Sequence, residues 1–325
     1  MYRLVVAFAL IGTSCLVAER ASAQDATPGW TVEPATVDAR TTGRTQFDYE
    51  LAPGQAIQDY VRVTNATDKP LTLDFHGADA YTTQQGAFAL ETSDQPRDGV
   101  GAWVSLPFTE QVVAPRTSIT FPFQLGIPRD TQPGDWAGGI VAVASGPSVS
   151  KVAPNVTIQQ GVGARIYVRV QGALHPSMTV TRLSTDVDGG NWSPFGDGRV
   201  AVAYEVANTG NVRMHATASL DLVDEFGRVV KTLPDRELPD LLPRETTSVT
   251  ETWTGLPLIA LRLHARVHIL GTGVDSTREG SAFWHVPVPV VTALVVILVA
   301  LVMLTKALRM LVSRRRHRPI AVVPA

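Results

Sequence analysis

Long stretches of the chain alternate apolar and polar residues with a period of two, broken by clusters of Gly, Pro, Asn and Asp. In "QDYVRVTNATDKPLTLDFHGADAY", Val61 and Val63 alternate with Tyr60, Arg62 and Thr64; a turn follows over 65–70, and alternation resumes at Leu71, Leu73 and Phe75. "SITFPFQLGIP" sets Ile119, Phe121, Phe123, Leu125 and Ile127 on one face, and "GARIYVRVQG" opposes Ile166, Val168 and Val170 to Arg165, Tyr167 and Arg169. Successive strand residues point to opposite faces, so this pattern predicts half-buried antiparallel strands. Further strands are predicted over 200–207, 216–223, 229–233, 246–253 and 261–270, with "DEFGRVV" a hairpin turning at Gly227. Short strands separated by turn signals define β-sandwiches.

The two ends depart from this pattern. "MYRLVVAFALIGTSCLVAERASAQDA" has a basic start, an apolar run from Leu4 to Ala18 and the small-x-small site Ala21-Ser22-Ala23, the layout of a secretory signal over 1–23. Cys15, the sole cysteine, lies inside it. Gly12 stands where a lipoprotein signal wants an aliphatic residue, so the exported part is expected to begin near Gln24 without thiols or disulfides. At the other end, 286–305 is free of charge, and a helix of about 20 residues spans a bilayer core of roughly 30 Å. Trp284 precedes it, and Lys306, Arg309, Arg314, Arg315, Arg316 and Arg318 follow, the asymmetry of a single span with its tail (306–325) in the cytoplasm.

Charge sharpens the picture. With the signal and tail set aside, 20 basic residues face 29 acidic ones, about −9 for the exported part, although the whole chain sums to only −2. Nucleic acid is a poor partner for such a surface. The exported part divides into a first sandwich (24–172), a second (173–271) after "GALHPSM", and a small polar stalk (272–285). "VRVTNATDKPLTLDF" and "VAYEVANTGNVRMHATASLDL" repeat one device, an apolar strand ending at Asn before a polar turn. The fold expected is all-β: two tandem immunoglobulin-like β-sandwich domains plus one C-terminal transmembrane helix.

Few residues suggest chemistry. His264 and His268 lie on a predicted strand, where four residues separate them by about 13 Å, too far to share a zinc ion. They are expected to face solvent. Asp186, Asp188, Asn191 and Asp197 cluster with glycines in "STDVDGGNWSPFGDG" but lack the spacing of a calcium loop; an inter-strand loop is expected. There is no Gly-x-Ser-x-Gly elbow and no phosphate loop before a helix. No catalytic residue, metal or cofactor is assigned, and a binding protein is expected rather than an enzyme.

One stretch, "FQLGIPRDTQPGDWAGGIVAV" (123–143), breaks alternation with two prolines, two aspartates and a tryptophan before Gly138-Gly139. It reads as a hairpin with its second strand centred on Ile140, and the glycines as a bulge or a close backbone approach. Trp136 and Asp135 are left at its rim. A ring beside an acid is a way to grip sugar, and these two are the candidate binding residues.

The segments 51–80, 115–143 (with "IPRDTQPGDWAGGI") and 162–172 resemble the peptidoglycan-binding domain of the W-x-L-interacting protein family of Gram-positive bacteria. The order of signal, sandwich, second immunoglobulin-like sandwich, span and basic tail is similar too. The resemblance covers roughly 30–172. It implies non-covalent attachment to peptidoglycan and tethering of W-x-L-type or other exported surface proteins. "VRVTNATDKPLTLDF" also resembles the strand pattern of pilus chaperones. That implies a different role, a membrane-tethered chaperone or assembly factor offering an edge strand to exported clients.

Overall fold

The structure is a computed structural model that describes residues 29–38, 40, 43–145, 148–149, 157–158, 160–188, 199–254, 262–284 and 288–316. The signal segment with Cys15, the residues Asn191 and Asp197, and the end of the basic tail lie outside the described residues.

Residues Trp30 to Val170 form β1 (Trp30–Ala35), β2 (Phe47–Leu51), β3 (Ala56–Asn65), β4 (Leu71–Thr82), β5 (Phe88–Leu90), the one-turn α1 (Val100–Trp103), β6 (Val104–Ser105), β7 (Glu110–Val113), β8 (Ser118–Gly126), β9 (Gly134–Ala144), the short β10 (Ser148–Val149) and β11 (Thr157–Ile158), and β12 (Gly161–Val170). The next hundred residues form β13 (Met178–Asp188), β14 (Arg199–Asn208), β15 (Ala216–Asp224), β16 (Val229–Thr232), β17 (Arg236–Glu237), β18 (Thr246–Thr254), β19 (Arg262–Gly271), β20 (Val274–Glu279) and β21 (Phe283–Trp284). Among the described residues the chain is thus all-β except for α1 and a long helix near the C-terminus, α2 (Val288–Arg316).

Apart from β10 and β11, which pair only with each other, each set of strands makes two facing sheets. In the first, β1-β3-β8-β6 packs on β2-β12-β9-β4, with β5 and β7 also paired to β4. In the second, β13-β14-β18 packs on β16-β15-β19-β20, with β17 on β15 and β21 on β19. The alternation seen in sequence is the reason. Phe121, Phe123, Leu125, Ile166, Val168 and Val170 enter the first core, and Val200, Val202, Tyr204, Leu220, Leu222, Val267 and Ile269 the second. Fully burying one such side chain is worth about 1.5–3 kcal/mol.

The repeated Asn device proves to be a duplicated knot. Asn65 is fully buried; its Nδ2 donates to Lys69 O (2.8 Å) and Val113 O (3.0 Å), and its Oδ1 accepts from the Thr67 amide (2.8 Å). Asn208, 1% exposed, does the same with Val212 O (2.7 Å), Leu241 O (2.9 Å) and the Gly210 amide (3.0 Å). Beside each knot a Pro-Arg turn enters the partner strand, with Arg116 at φ 54° and Arg244 at φ 68°, a conformation uncommon outside glycine. The amides of Arg116 and Arg244 bond to Thr67 O and Asn208 O.

Three expectations need correction. The stretch 123–143 is not a hairpin: β8 pairs with β3 and β6, whereas β9 pairs with β4 and β12 in the opposite sheet. Seven residues separate the two strands, and two of them, Pro128 and Pro133, have no amide proton to close a tight turn. The chain therefore crosses from sheet to sheet. Within β9 the register with both neighbours is unbroken, so the glycines mark close approach and not a bulge. A Cβ on Gly138 would sit 2.5 Å from Ala78 O and 2.6 Å from Val100 Cβ.

The stalk is the second correction. Residues 274–279 add to β19 as β20, through a tight turn in which Gly273 takes φ 74°, and β21 pairs with the start of β19. An edge strand with solvent on one side needs few apolar residues, which is why "VDSTRE" reads as linker. The third concerns "STDVDGGNWSPFGDG": Asp186 and Asp188 belong to β13 and not to a loop. In α2 the stretch Val291–Met310 is long and apolar enough to cross a membrane, and none of it is buried against the other described residues. It lies a few residues later than 286–305.

Candidate functional site

Asp135 and Trp136 do not stand at a free rim. They open β9 at the seam between the two sandwiches. Asp135 Oδ1 and Oδ2 accept from Arg169 Nε (2.7 Å) and Nη2 (2.9 Å) of β12, the cross-strand neighbour, and Oδ2 also accepts from the Arg213 amide (2.9 Å) of the second sandwich. The bidentate pairing holds the Arg169 guanidinium above its ordinary range. The acid expected to meet sugar hydroxyls is committed to the protein itself. Trp136 is half-buried: its ring packs on Trp103 (centroids 5.0 Å apart) and under the Arg244 guanidinium (5.8 Å), and its Nε1 donates to Gln132 O.

Asn211 closes the seam. Its Nδ2 donates to Pro133 O (2.9 Å) of the first sandwich and Ala173 O (2.9 Å) of the connection, while its Oδ1 accepts from the His175 amide (2.6 Å). The Asp135 amide in turn donates to Asn211 O (2.7 Å). A second contact comes from the turn between β4 and β5, where Gln84 O accepts from the Ser248 amide of β18 and the Thr82 amide meets the Glu245 carboxylate. Burial there, and the nearby charge of Glu91, push the Glu245 carboxyl above its ordinary value against the pull of the Thr82 amide.

Two cavities flank this seam. One of about 390 Å³ lies beside Asp48, Glu50, Tyr167, Arg169 and Arg213; the other, about 190 Å³, beside Asp98, Asn211 and Arg244. Tyr49 lines the first. Burial and a 2.7 Å hydrogen bond to Asp59 push its phenol far above the usual range, so it stays a neutral donor. The seam thus offers rings, guanidinium groups and backbone for holding a ligand.

A third cavity, about 1030 Å³, lies on the outer face of the sheet β2-β12-β9-β4, and nothing in the sequence pattern had marked it. Its floor is set by register: the rows Asp74–Val143–Gly161 and His76–Val141–Gly163 run across β4, β9 and β12. The signal available in sequence was the spacing of Gly161 and Gly163, two outward positions without side chains. Leu90 lies over the row at Gly163, and Arg165 stacks on Phe88 at 4.8 Å.

His264 and His268 share one face of β19 but are met by carboxylates of β20, at 3.7 Å for Glu279 and 2.7 Å for Asp275, so they are half-buried pairs and not free solvent-facing groups. Among the described residues no group of three or more His, Cys, Asp or Glu is placed to hold a metal ion.

No protein-family profile matches the chain, and no curated protein matches it. Among solved structures it is similar to a chaperone–tip adhesin complex of CFA/I fimbriae (10% identity, 79% of this chain and 99% of the other, TM-score 0.36). It is also similar to the Pseudomonas aeruginosa CupB2 chaperone (11%, 73% and 97%, TM-score 0.29) and the E. coli chaperone DraB (14%, 74% and 94%, TM-score 0.30). At such values a likeness transfers neither residues nor activity.

Proposed function

We propose that this chain is a membrane-anchored holder of exported polypeptides, which takes an extended client segment as an added strand along β12. One observation carries the reading. β12 pairs with β9 over its whole length, but β2 covers its other side only from Ile166 to Val170. Among the described residues, Gly161 to Arg165 present an unpaired backbone edge, and such edges template strand addition. That edge carries two glycines and no proline, so nothing on it repels a pairing strand except Arg165. α2 would keep the holder at the membrane that its clients cross.

The experiment is hydrogen exchange on the full chain in detergent micelles, with and without co-purified exported proteins. Amides of 161–165 should exchange fast in the free chain and become protected with client, while the centre of β9 stays unchanged. Client bound with no added protection at 161–165 would defeat the proposal.

A second reading, attachment to peptidoglycan as in the W-x-L-interacting family, is favoured by the seam cavities, where Trp136, Tyr167 and Arg213 offer stacking and hydrogen bonding to a glycan. Co-sedimentation with purified, insoluble peptidoglycan tests it. Trp136→Ala is a poor probe because it also removes packing on Trp103. Tyr167→Ala removes surface contacts to Arg213 and Phe88 but lies outside the core cluster, and it should release the protein from the pellet if the reading holds.

A further inference from the structure

We infer that the outer-face trough of the first sandwich selects client segments carrying long basic side chains at every second position. The inference rests on strand addition at β12 and names which strands fit. A strand added at the free edge lies beside Gly161, Gly163 and Arg165 on the outer face, so it continues the rows that already cross β4, β9 and β12. Directly opposed residues on one face of a sheet are the ones that touch. Here two of the three opposing residues lack side chains; Leu90 covers Gly163, but beside Gly161 the client's outward side chains meet no opposing side chain and lean over the strand into the cavity of about 1030 Å³.

What they meet there is apolar at the bottom and acidic above. Val141, Val143 and Leu90 form the floor, and Asp74, Glu91, Asp94 and Glu110 surround it. The opposing charges are few: Arg165 is held over Phe88, and His76, whose Nε2 is buried without a hydrogen-bond partner, is kept toward its neutral form by burial and by the nearby Arg97. A lysine or arginine matches both layers, with its methylene stem on the valines and its charged head among the carboxylates. An acidic side chain in the same place would meet mostly like charge.

The test uses the full chain in nanodiscs of zwitterionic lipid and short, capped, fluorescent peptides in which Lys alternates with Val. Glu–Val and order-scrambled Lys–Val peptides are the controls. Anisotropy should show the alternating Lys–Val peptide binding about tenfold or more tightly than either control. Gly161→Leu fills the trough without strain, since a Cβ there lies 3.5 Å from Val141 and Val143, and it should abolish the preference. Glu91→Gln with Asp94→Asn should reduce it. Equal binding of Lys–Val and Glu–Val peptides, or an unchanged preference in Gly161→Leu, would overturn the inference. Exchange protection of 161–165 read in the same samples separates the two failures. Protection without a basic preference rejects the trough alone, whereas Lys–Val binding without protection rejects strand addition as well.

Discussion

At the scale of single residues, stability rests on a few buried polar groups whose partners come from far along the chain. Asn208→Ala would leave Val212 O without this donor and Leu241 O with only the Met214 amide, at a cost of about 1–3 kcal/mol, read as a lower urea midpoint for the full chain in micelles. The turn after each Asn was legible in sequence. The knot was not, because Val113 and Leu241 reach it only through tertiary packing. Two carboxylates make opposite statements about pH. Burial opposes the charge on Asp59, but hydrogen bonds from Arg44, Tyr49 and the Tyr60 amide outweigh it and hold the carboxyl below its ordinary value. That stabilisation is full above the unfolded carboxyl's pKa, about 4, and is lost as pH falls through the depressed folded value. Asp59→Asn should therefore flatten the acid limb of a pH–stability curve. Glu245 runs the other way: its folded pKa is raised, so its charged form weakens the seam as pH rises through that value. Glu245→Gln, which keeps an acceptor for Thr82, should raise the unfolding midpoint at pH 7 and leave it unchanged well below the ordinary carboxyl pKa.

At the scale of elements, period-two alternation located the strands β14, β15, β18 and β19 to within a residue or two, because each turns alternate residues into the core, but it missed the long β13. It failed where that condition fails. β20 is an edge strand whose "VDSTRE" has no apolar face to show, and the crossing from β8 to β9 looks like a turn because a turn and a sheet-to-sheet connection use the same prolines and glycines. β9 also contains a position that only its neighbours explain. Gly138→Ala drives a methyl to 2.5 Å from Ala78 O, and overpacking of this kind costs about 1–3 kcal/mol. Differential scanning calorimetry should show it lowering the transition of the first sandwich and sparing the second. The candidate pair Asp135 and Trp136 was found by composition, but its surroundings were invisible, since Arg169, Arg213 and Arg244 arrive from three other places in the chain.

At the scale of the whole molecule, the two slabs meet through a polar clasp and not through a shared apolar core. Asn211→Ala removes three of its hydrogen bonds at once. Spin labels on β3 and β15 should report a narrow distance distribution in the native chain and a broadened one in the variant, with both sandwiches still folded. The pairing of β21 with β19 has a consequence of its own. Trp284 is stitched into the second sandwich and α2 begins at Val288, so only three residues lie between sheet and helix. At most about 3.6 Å for each of the four Cα–Cα steps, that joint reaches roughly 14 Å. Where the helix crosses a bilayer, the protein is a post and not a leash: the slab above it is kept at headgroup height, and anything it grips is presented at one fixed altitude over the lipid.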